Sequence, residues 1–378
     1  MKFVVAPDKY KGSLTGFQFC EAVESGLKMV FPSAEIIKKP LADGGDGTLE
    51  VVKEYLEASE ETVEVKDPLF RKVKANYLFS KHKGIAYIEM SEASGYKLLD
   101  KSELNCMETT TVGTGQMIAD ALKKGAKEIV LGIGGSATND AGMGMASALG
   151  YIFKDKEGNE LKPIGRNLQE VHRIDGSEVD PKLKKARVKV ACDVNNPLYG
   201  KNGAAYVYGP QKGASTKEVA LLDAGLQSFA EVIQAFSGLD VQSIPGAGAA
   251  GGMGAGAVVF LDAKLTSGVD LIMEMAQFEA ALQNADWIIT GEGQLDGQTA
   301  SGKTIEGVIR MAKTKKIPVA ALCGSLNISI AGIQQLGLDY AVSILNEIGT
   351  LEQAKAQSFQ NLEQASFNLA QLLKKGQA

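Results

Sequence analysis

The sequence predicts an α/β protein with two α/β domains, and three observations carry that prediction. Short apolar runs alternate with amphipathic segments near both ends of the chain. After residue 60 the alternation gives way to three closely spaced strand-like runs. It resumes at Trp287-Ile288-Ile289-Thr290. A Rossmann-like domain with a parallel sheet is therefore expected from residues 1–60 plus 285–378. Residues 61–284 are expected to form an inserted domain with a mixed sheet. A cleft is expected at their junction.

The elements follow in order. Phe3-Val4-Val5-Ala6 predicts a strand. Residues 15–30 predict a helix, with Phe19, Ala22, Val23, Gly26 and Leu27 at helical spacing. Ile36-Ile37 predicts a second strand leading to Asp43-Gly44-Gly45-Asp46, and residues 48–55 the next helix. Residues 62–65, 73–79 and 85–90 predict neighbouring antiparallel strands, with a turn at Asp67-Pro68. A helix over 114–124 precedes the strand Ile129-Val130-Leu131. Residues 188–191 and 205–208 predict strands, and 217–236 a long helix. The last stretch predicts strands at 287–290, 319–322 and 340–344, and helices at 305–313 and 351–373.

Composition narrows the function. The 378 residues carry a net charge of −5, which favours neither nucleic acid nor an anionic membrane surface as partner. No run of 18 apolar residues predicts a membrane span. The first apolar run is too short for a signal peptide, so a cytoplasmic location is expected. Cys20, Cys106, Cys192 and Cys323 are scattered without a C-x-x-C pair. They read as buried small hydrophobes in a reducing compartment. His82 and His172 lie in polar stretches, so a general base is sought among Asp and Glu.

The strand Ile129-Val130-Leu131 runs into Gly132-Ile133-Gly134-Gly135-Ser136-Ala137-Thr138-Asn139-Asp140. Glycines allow a tight turn with exposed N–H groups, and Ser136, Thr138 and Asn139 add donors. Such a loop suits an anion, phosphate above all, with Asn139 or Asp140 capping the segment after it. Two short motifs are set aside. Gly297-Gln298-Thr299-Ala300-Ser301-Gly302-Lys303-Thr304 fits the P-loop expression but does not leave its strand directly. Gly246-Ala247-Gly248-Ala249-Ala250-Gly251 fits a dinucleotide fingerprint, yet follows no clear strand and reads as close backbone packing or a hinge.

Several strand ends carry carboxylates beside glycine: Asp8, Asp43 with Asp46, Asp193, and Glu292 with Asp296. Lys9 and Lys11 follow the first of them. Ligands of open α/β sheets collect at such ends. Carboxylates for Mg²⁺, lysines against phosphate charge and one carboxylate base are the parts that phosphoryl transfer needs.

The chain resembles the type I glycerate kinases. The matching segments are Ala6-Pro7-Asp8-Lys9-Tyr10-Lys11-Gly12-Ser13-Leu14, Pro40-Leu41-Ala42-Asp43-Gly44-Gly45-Asp46-Gly47-Thr48 and the Gly132-to-Asp140 loop. Further matches are Ala191-Cys192-Asp193-Val194-Asn195-Asn196-Pro197-Leu198, Gly209-Pro210-Gln211-Lys212-Gly213-Ala214, Gly246 to Gly252, and Ile289-Thr290-Gly291-Glu292-Gly293. Asp296, Gln298-Thr299 and Gly302-Lys303 complete the set. The resemblance spans nearly the whole chain. It implies transfer of the ATP γ-phosphate to D-glycerate, usually at the 2-hydroxyl, with Mg²⁺. Where the family tends to show Asp-Pro-Leu-Gly-Arg-Pro, this chain has Asp67-Pro68-Leu69-Phe70-Arg71-Lys72, so a different local turn is expected at Phe70. Asp46 stands where Glu is frequent in the family.

On this reading Asp193 is the expected general base and Asp8 its rival. Lys9, Lys11 and Lys303 neutralise phosphate. Glu292 and Asp296 serve Mg²⁺. Gly134, Gly135, Ser136, Thr138 and Asn139, with Asp43, Gly44 and Gly45, hold phosphate or the glycerate carboxylate. The partners are small molecules, ATP and glycerate. A kinase for another small hydroxy acid, a non-catalytic glycerate or phosphoglycerate sensor, and an NAD-dependent oxidoreductase are the alternatives.

Overall fold

Strand Lys2–Val5 has parallel partners on both sides, one from each end of the chain. The structure is a computed structural model and describes residues 1–43, 47–296 and 303–376. It divides into two units, Met1–Tyr55 with Val269–Ala378, and Leu56–Gly268. The second unit thus ends at Gly268 and not near 284. Helix Gly268–Met275 belongs with the C-terminal segment: Val269 and Met273 pack on Gly307, and Arg310 pairs with Asp270.

The first unit holds five parallel strands in the order Tyr340–Ser343, Val319–Cys323, Trp287–Thr290, Lys2–Val5, Glu35–Lys38. Numbered within the sheet, that order is 5-4-3-1-2, which places the topological switch point between Lys2–Val5 and Trp287–Thr290. Helix Gly16–Lys28 starts at a capping box, in which Thr15 accepts from Gln18 N and the Gln18 side chain accepts from Thr15 N. Phe19, Ala22, Val23 and Leu27 form its buried face, in one cluster with Phe3, Leu322, Leu362 and Leu369. The sequence predicts one helix over 351–373, but the structure has two, Leu351–Ala356 and Ser358–Gly376. Ser358 Oγ reaches back to the carbonyls of Ala354 and Lys355, offering the backbone a bond that competes with helix continuation.

The second unit holds a six-stranded mixed sheet in the order Lys264–Thr266, Arg187–Ala191, Glu128–Gly132, Ile85–Glu89, Lys72–Ser80, Ser59–Lys66. The first four strands are mutually parallel, and the last two pair antiparallel. Helix Thr216–Ser237 is the only one among the described residues long and apolar enough to cross a membrane by length and composition. Here it buries Val219, Leu222, Leu226, Phe229 and Ile233 in the core of its unit. Residues 205–208, expected as a strand, lie in helix Ala204–Tyr208. A short apolar run does not distinguish strand from helix, and only Ala204 and Ala205 are buried. Cys20, Cys106 and Cys323 are buried as expected, whereas Cys192 is half-buried.

Two backbone features bear on function. Phe70 takes φ +64°, the left-handed conformation that a glycine adopts freely, so the turn keeps a glycine-like backbone in spite of its side chain. The Asp67 carboxylate accepts from Leu69 N and Arg71 N and pairs with the Arg71 guanidinium, while Lys162 Nζ sits 4.5 Å above the Phe70 ring. In helix Ala249–Leu261, residues 250–252 are all left-handed. A Cβ on Gly251 would lie 2.0 Å from the Thr138 carbonyl oxygen, so the glycine run is a place of backbone-to-backbone packing against the 132–140 loop. Gly251→Ala is expected to cost at least about 1 kcal/mol through clash and positive φ. A wild-type midpoint in urea denaturation would refute that packing argument.

Candidate active site

The parallel register sets the first group of residues. Ala6 N donates to Ile289 O and Asp8 N to Gly291 O, so Asp8 and Glu292 leave adjacent strands at the same level. Asp8 Oδ1 accepts from Lys9 N at 2.7 Å, and Oδ2 accepts from Thr304 Oγ1 at 2.8 Å, near the start of helix Lys303–Lys315. Burial pushes the Asp8 carboxyl above its usual range, Thr304 and the Lys9 amide oppose that, and the Asp43 charge adds to it. The Lys9 side chain runs along Gly47, and Lys11 N approaches Gly293. Tyr10 fixes the loop between them by donating its hydroxyl to Leu322 O.

Asp8, Lys9, Lys11, Asp43 and Glu292 line one cavity of about 920 Å³ within this unit. The structure thus brings five of the expected residues together. Asp296, close to Gln294 Nε2, does not line that cavity. Gly44 and Gly45 lie outside the described residues, as does most of the P-loop-like octet, and Lys303 enters only as the first residue of its helix. The octet directly follows strand Gln294–Asp296, which belongs to a separate two-stranded parallel sheet with Ser325–Asn327, and so does not leave strand Trp287–Thr290 of the five-stranded sheet directly.

The second group lies in the other unit, at the carboxyl ends of its parallel strands. Gly134 and Gly135 are exposed beyond strand Glu128–Gly132, with Gly135 at φ +71°. Ser136, Thr138 and Asn139 are buried beneath them. Thr138 Oγ1 and both amide atoms of Asn139 have no hydrogen-bond partner among the described residues. Asp140 is the residue that caps: it accepts from Thr111 N, Thr111 Oγ1, Gly142 N and Gly144 N. Asp193 follows the neighbouring strand, and its Oδ1 accepts from Gly268 N at 2.9 Å.

Two functional candidates went unread in the sequence. Lys212 is 3% exposed, and its Nζ donates to Ser136 Oγ and Thr138 O, each at 2.7 Å. Burial pulls its pKa down to about 8, opposed by Cys106 and Asp140. The signal was a lysine between glycines in Gly209-Pro210-Gln211-Lys212-Gly213. Glu89 ends strand Ile85–Glu89 in register with Gly132, and burial with the nearby Glu92 raises its carboxyl pKa. An acid closing an apolar strand was the same signal that picked out Asp8.

The glycerate kinase family model matches residues 3–374. The chain belongs to the glycerate kinase family. Among its relatives, the glycerate kinase of Halalkalibacterium halodurans is 46% identical over 367 residues, covering 97% of each chain. The glycerate 2-kinase of Escherichia coli K12 is 43% identical over 373 residues, covering 99% of this chain and 98% of its own. A solved structure of a putative glycerate kinase 2 from Salmonella typhimurium LT2 superposes with a TM-score of 0.88 at 41% identity, covering 100% of this chain and 99% of the other. Membership of this kinase family makes ATP a substrate and leaves the charged cavity and the strand-end loops to be assigned roles.

Lys212 has a consequence for stability. It releases its proton near pH 8 when folded and near 10.5 when unfolded, so the unfolded chain binds more protons between those values. The cost of the buried charge is present at pH 7 and disappears as pH rises through that window. Comparing wild type with Lys212→Met by urea denaturation, the wild type is expected to gain up to about 3 kcal/mol on the variant between pH 7 and pH 10. A difference that does not change with pH would refute it.

Proposed function

We propose that the protein transfers the γ-phosphoryl group of ATP to the 2-hydroxyl of D-glycerate, giving 2-phosphoglycerate and ADP, in the cytoplasm. The observation that carries the reading is the pairing of Asp8 and Glu292 at the switch point of a chain that matches the glycerate kinase model almost end to end. The choice of the 2-hydroxyl is supported by the name of the E. coli relative.

In this mechanism Lys9 and Lys11 offset the charge of the triphosphate, a task that suits lysines at the rim of a cavity. No three His, Cys, Asp or Glu side chains among the described residues form a metal-binding group. Mg²⁺ needs only one or two carboxylates beside phosphate oxygens and water, and Glu292, Asp43 and Asp8 offer hard oxygen donors in one cavity. When bound there it would neutralise β- and γ-phosphate oxygens. Asp193 takes the proton of the glycerate 2-hydroxyl as that oxygen bonds to the γ-phosphorus and the bond to the ADP oxygen breaks. Its contact with Gly268 N fixes one carboxylate oxygen and so orients the other. Gly134 and Gly135 present backbone to the glycerate carboxylate.

Asp193→Asn retains an acceptor for Gly268 N and is expected to lower kcat by about 10²- to 10⁴-fold with little change in KM for ATP. Wild-type turnover would remove Asp193 from the mechanism, and a loss confined to Asp8→Asn would transfer the role to Asp8. Phosphorus NMR of the product from ATP and D-glycerate is expected to give the 2-phosphate signal. A 3-phosphate signal would overturn the regiochemistry, and no ADP formation would overturn the kinase reaction on glycerate.

A further inference from the structure

Asp8, Lys9, Lys11, Asp43 and Glu292 occupy one end of the first unit's cavity, and Glu347 and Lys355 are the charged residues of the other. From Asp8 and Glu292 the cavity runs along the carboxyl edge of the sheet, past Gly324 and Ser325, to Ile344 and Leu345. This path crosses from the third strand of the sheet to its fifth, about two strand spacings or ~10 Å. A volume of about 920 Å³ far exceeds what a three-carbon acid fills, and glycerate has no apolar face to place against such a wall.

The far wall sets exposed apolar side chains among polar ones, Glu347, Thr350 and Gln353 included. Leu345 and Leu351 line the cavity at 48% and 70% exposure, and Ile348 between them is fully exposed. A cluster of large exposed apolar side chains beside a polar cavity marks a binding surface. Ala354 adds a small, flat floor on helix Leu351–Ala356, and Gln357 and Asn361 bring amides to the same wall. The wall is tied to the phosphate end: Ser13 Oγ bonds Lys355 O at 3.2 Å and Ser358 Oγ at 2.5 Å, and the Lys355 ammonium lies beside Gly12.

We propose that the wall formed by Leu345, Leu351, Ala354, Gln357 and Asn361 receives the purine base of ATP, with the triphosphate directed toward Lys9, Lys11 and Lys355. The base lies against the leucines and Ala354, and the amides meet its edge nitrogens. This rests on the kinase reading of the same cavity and adds which face of the first unit selects the nucleotide.

The test measures ADP affinity by isothermal titration without glycerate, then steady-state kinetics, on Ala354→Trp, which fills the floor, and Leu351→Glu, which puts charge on an exposed position at a helix start. Both are expected to raise the ADP Kd and the KM for ATP by about tenfold or more, with kcat at saturating ATP and the KM for glycerate within about twofold of wild type. Wild-type ADP affinity in either folded variant overturns the assignment, as does a wild type that fails to bind ADP. If Ala354→Trp does not fold, Leu351→Glu decides alone. Because the titration contains no acceptor, a wild type that binds ADP but does not phosphorylate glycerate would count against the substrate reading only.

Discussion

The parallel pairing of Lys2–Val5 with Trp287–Thr290 is the constraint on which the rest of the first unit rests. Phe3, Val4 and Val5 lie opposite Trp287, Ile288 and Ile289, and Thr290 Oγ1 closes the ladder on Ala6 O. The residues of the whole second unit lie between the two strands, which is a large loop to close. Full burial offsets that entropy: Phe3, Val4, Val5, Ile288 and Ile289 are all inaccessible to solvent. Because backbone register is rigid, it also decides chemistry. One residue of slip would move Glu292 away from Asp8 and turn its side chain to the other face.

Both units place candidate groups at the carboxyl ends of their strands, but they arrange them differently. In the first, the strand ends carry charge in an open cavity, and one carboxyl is pushed toward protonation by burial. In the second, the 132–140 loop is closed upon itself. Its hydroxyl and amide side chains are buried, with Ser136 held by Lys212, and only Gly134 and Gly135 face outward. Ser136 and Asp140 therefore build the support, Thr138 Oγ1 and the Asn139 amide have no partner among the described residues, and the groups offered outward are backbone.

That inversion explains what the sequence revealed and what it hid. Asp8, Asp43 and Glu292 were legible because a carboxylate after an apolar run, beside glycine, is a local pattern, and local patterns survive folding. The 2-1-3-4-5 strand order was not legible, since pairing between residues so far apart leaves no periodic trace. Helix Ala204–Tyr208 was misread because five apolar residues satisfy either period. The break at Gln357 carried no glycine or proline; it comes from a serine hydroxyl competing for carbonyls. Lys212 was missed for a different reason. Burying a lysine is costly, so a solvated one is the ordinary expectation, and only the tertiary structure shows two oxygens placed to accept from its ammonium.

The cost of Lys212 also has a structural reason. A leucine in its place would avoid desolvating a charge, yet it would leave Ser136 Oγ and the Thr138 carbonyl without their donor in a site sealed from water. The loop keeps polar atoms there because its backbone must turn sharply to project Gly134 and Gly135, and a turn of that kind exposes carbonyls on its inner side that no helix or strand can satisfy. A flexible ammonium with three donors can reach two acceptors at once where a rigid side chain would not. The left-handed turn at residues 250–252 follows the same logic: strain is accepted in one segment so that its carbonyl can hold the Ala141 amide and its glycine can touch the Thr138 carbonyl. Stability is given up on both sides of the loop to fix one short stretch of outward-facing backbone. Glycine suits that stretch, since it lets the backbone turn with no side chain to cover it.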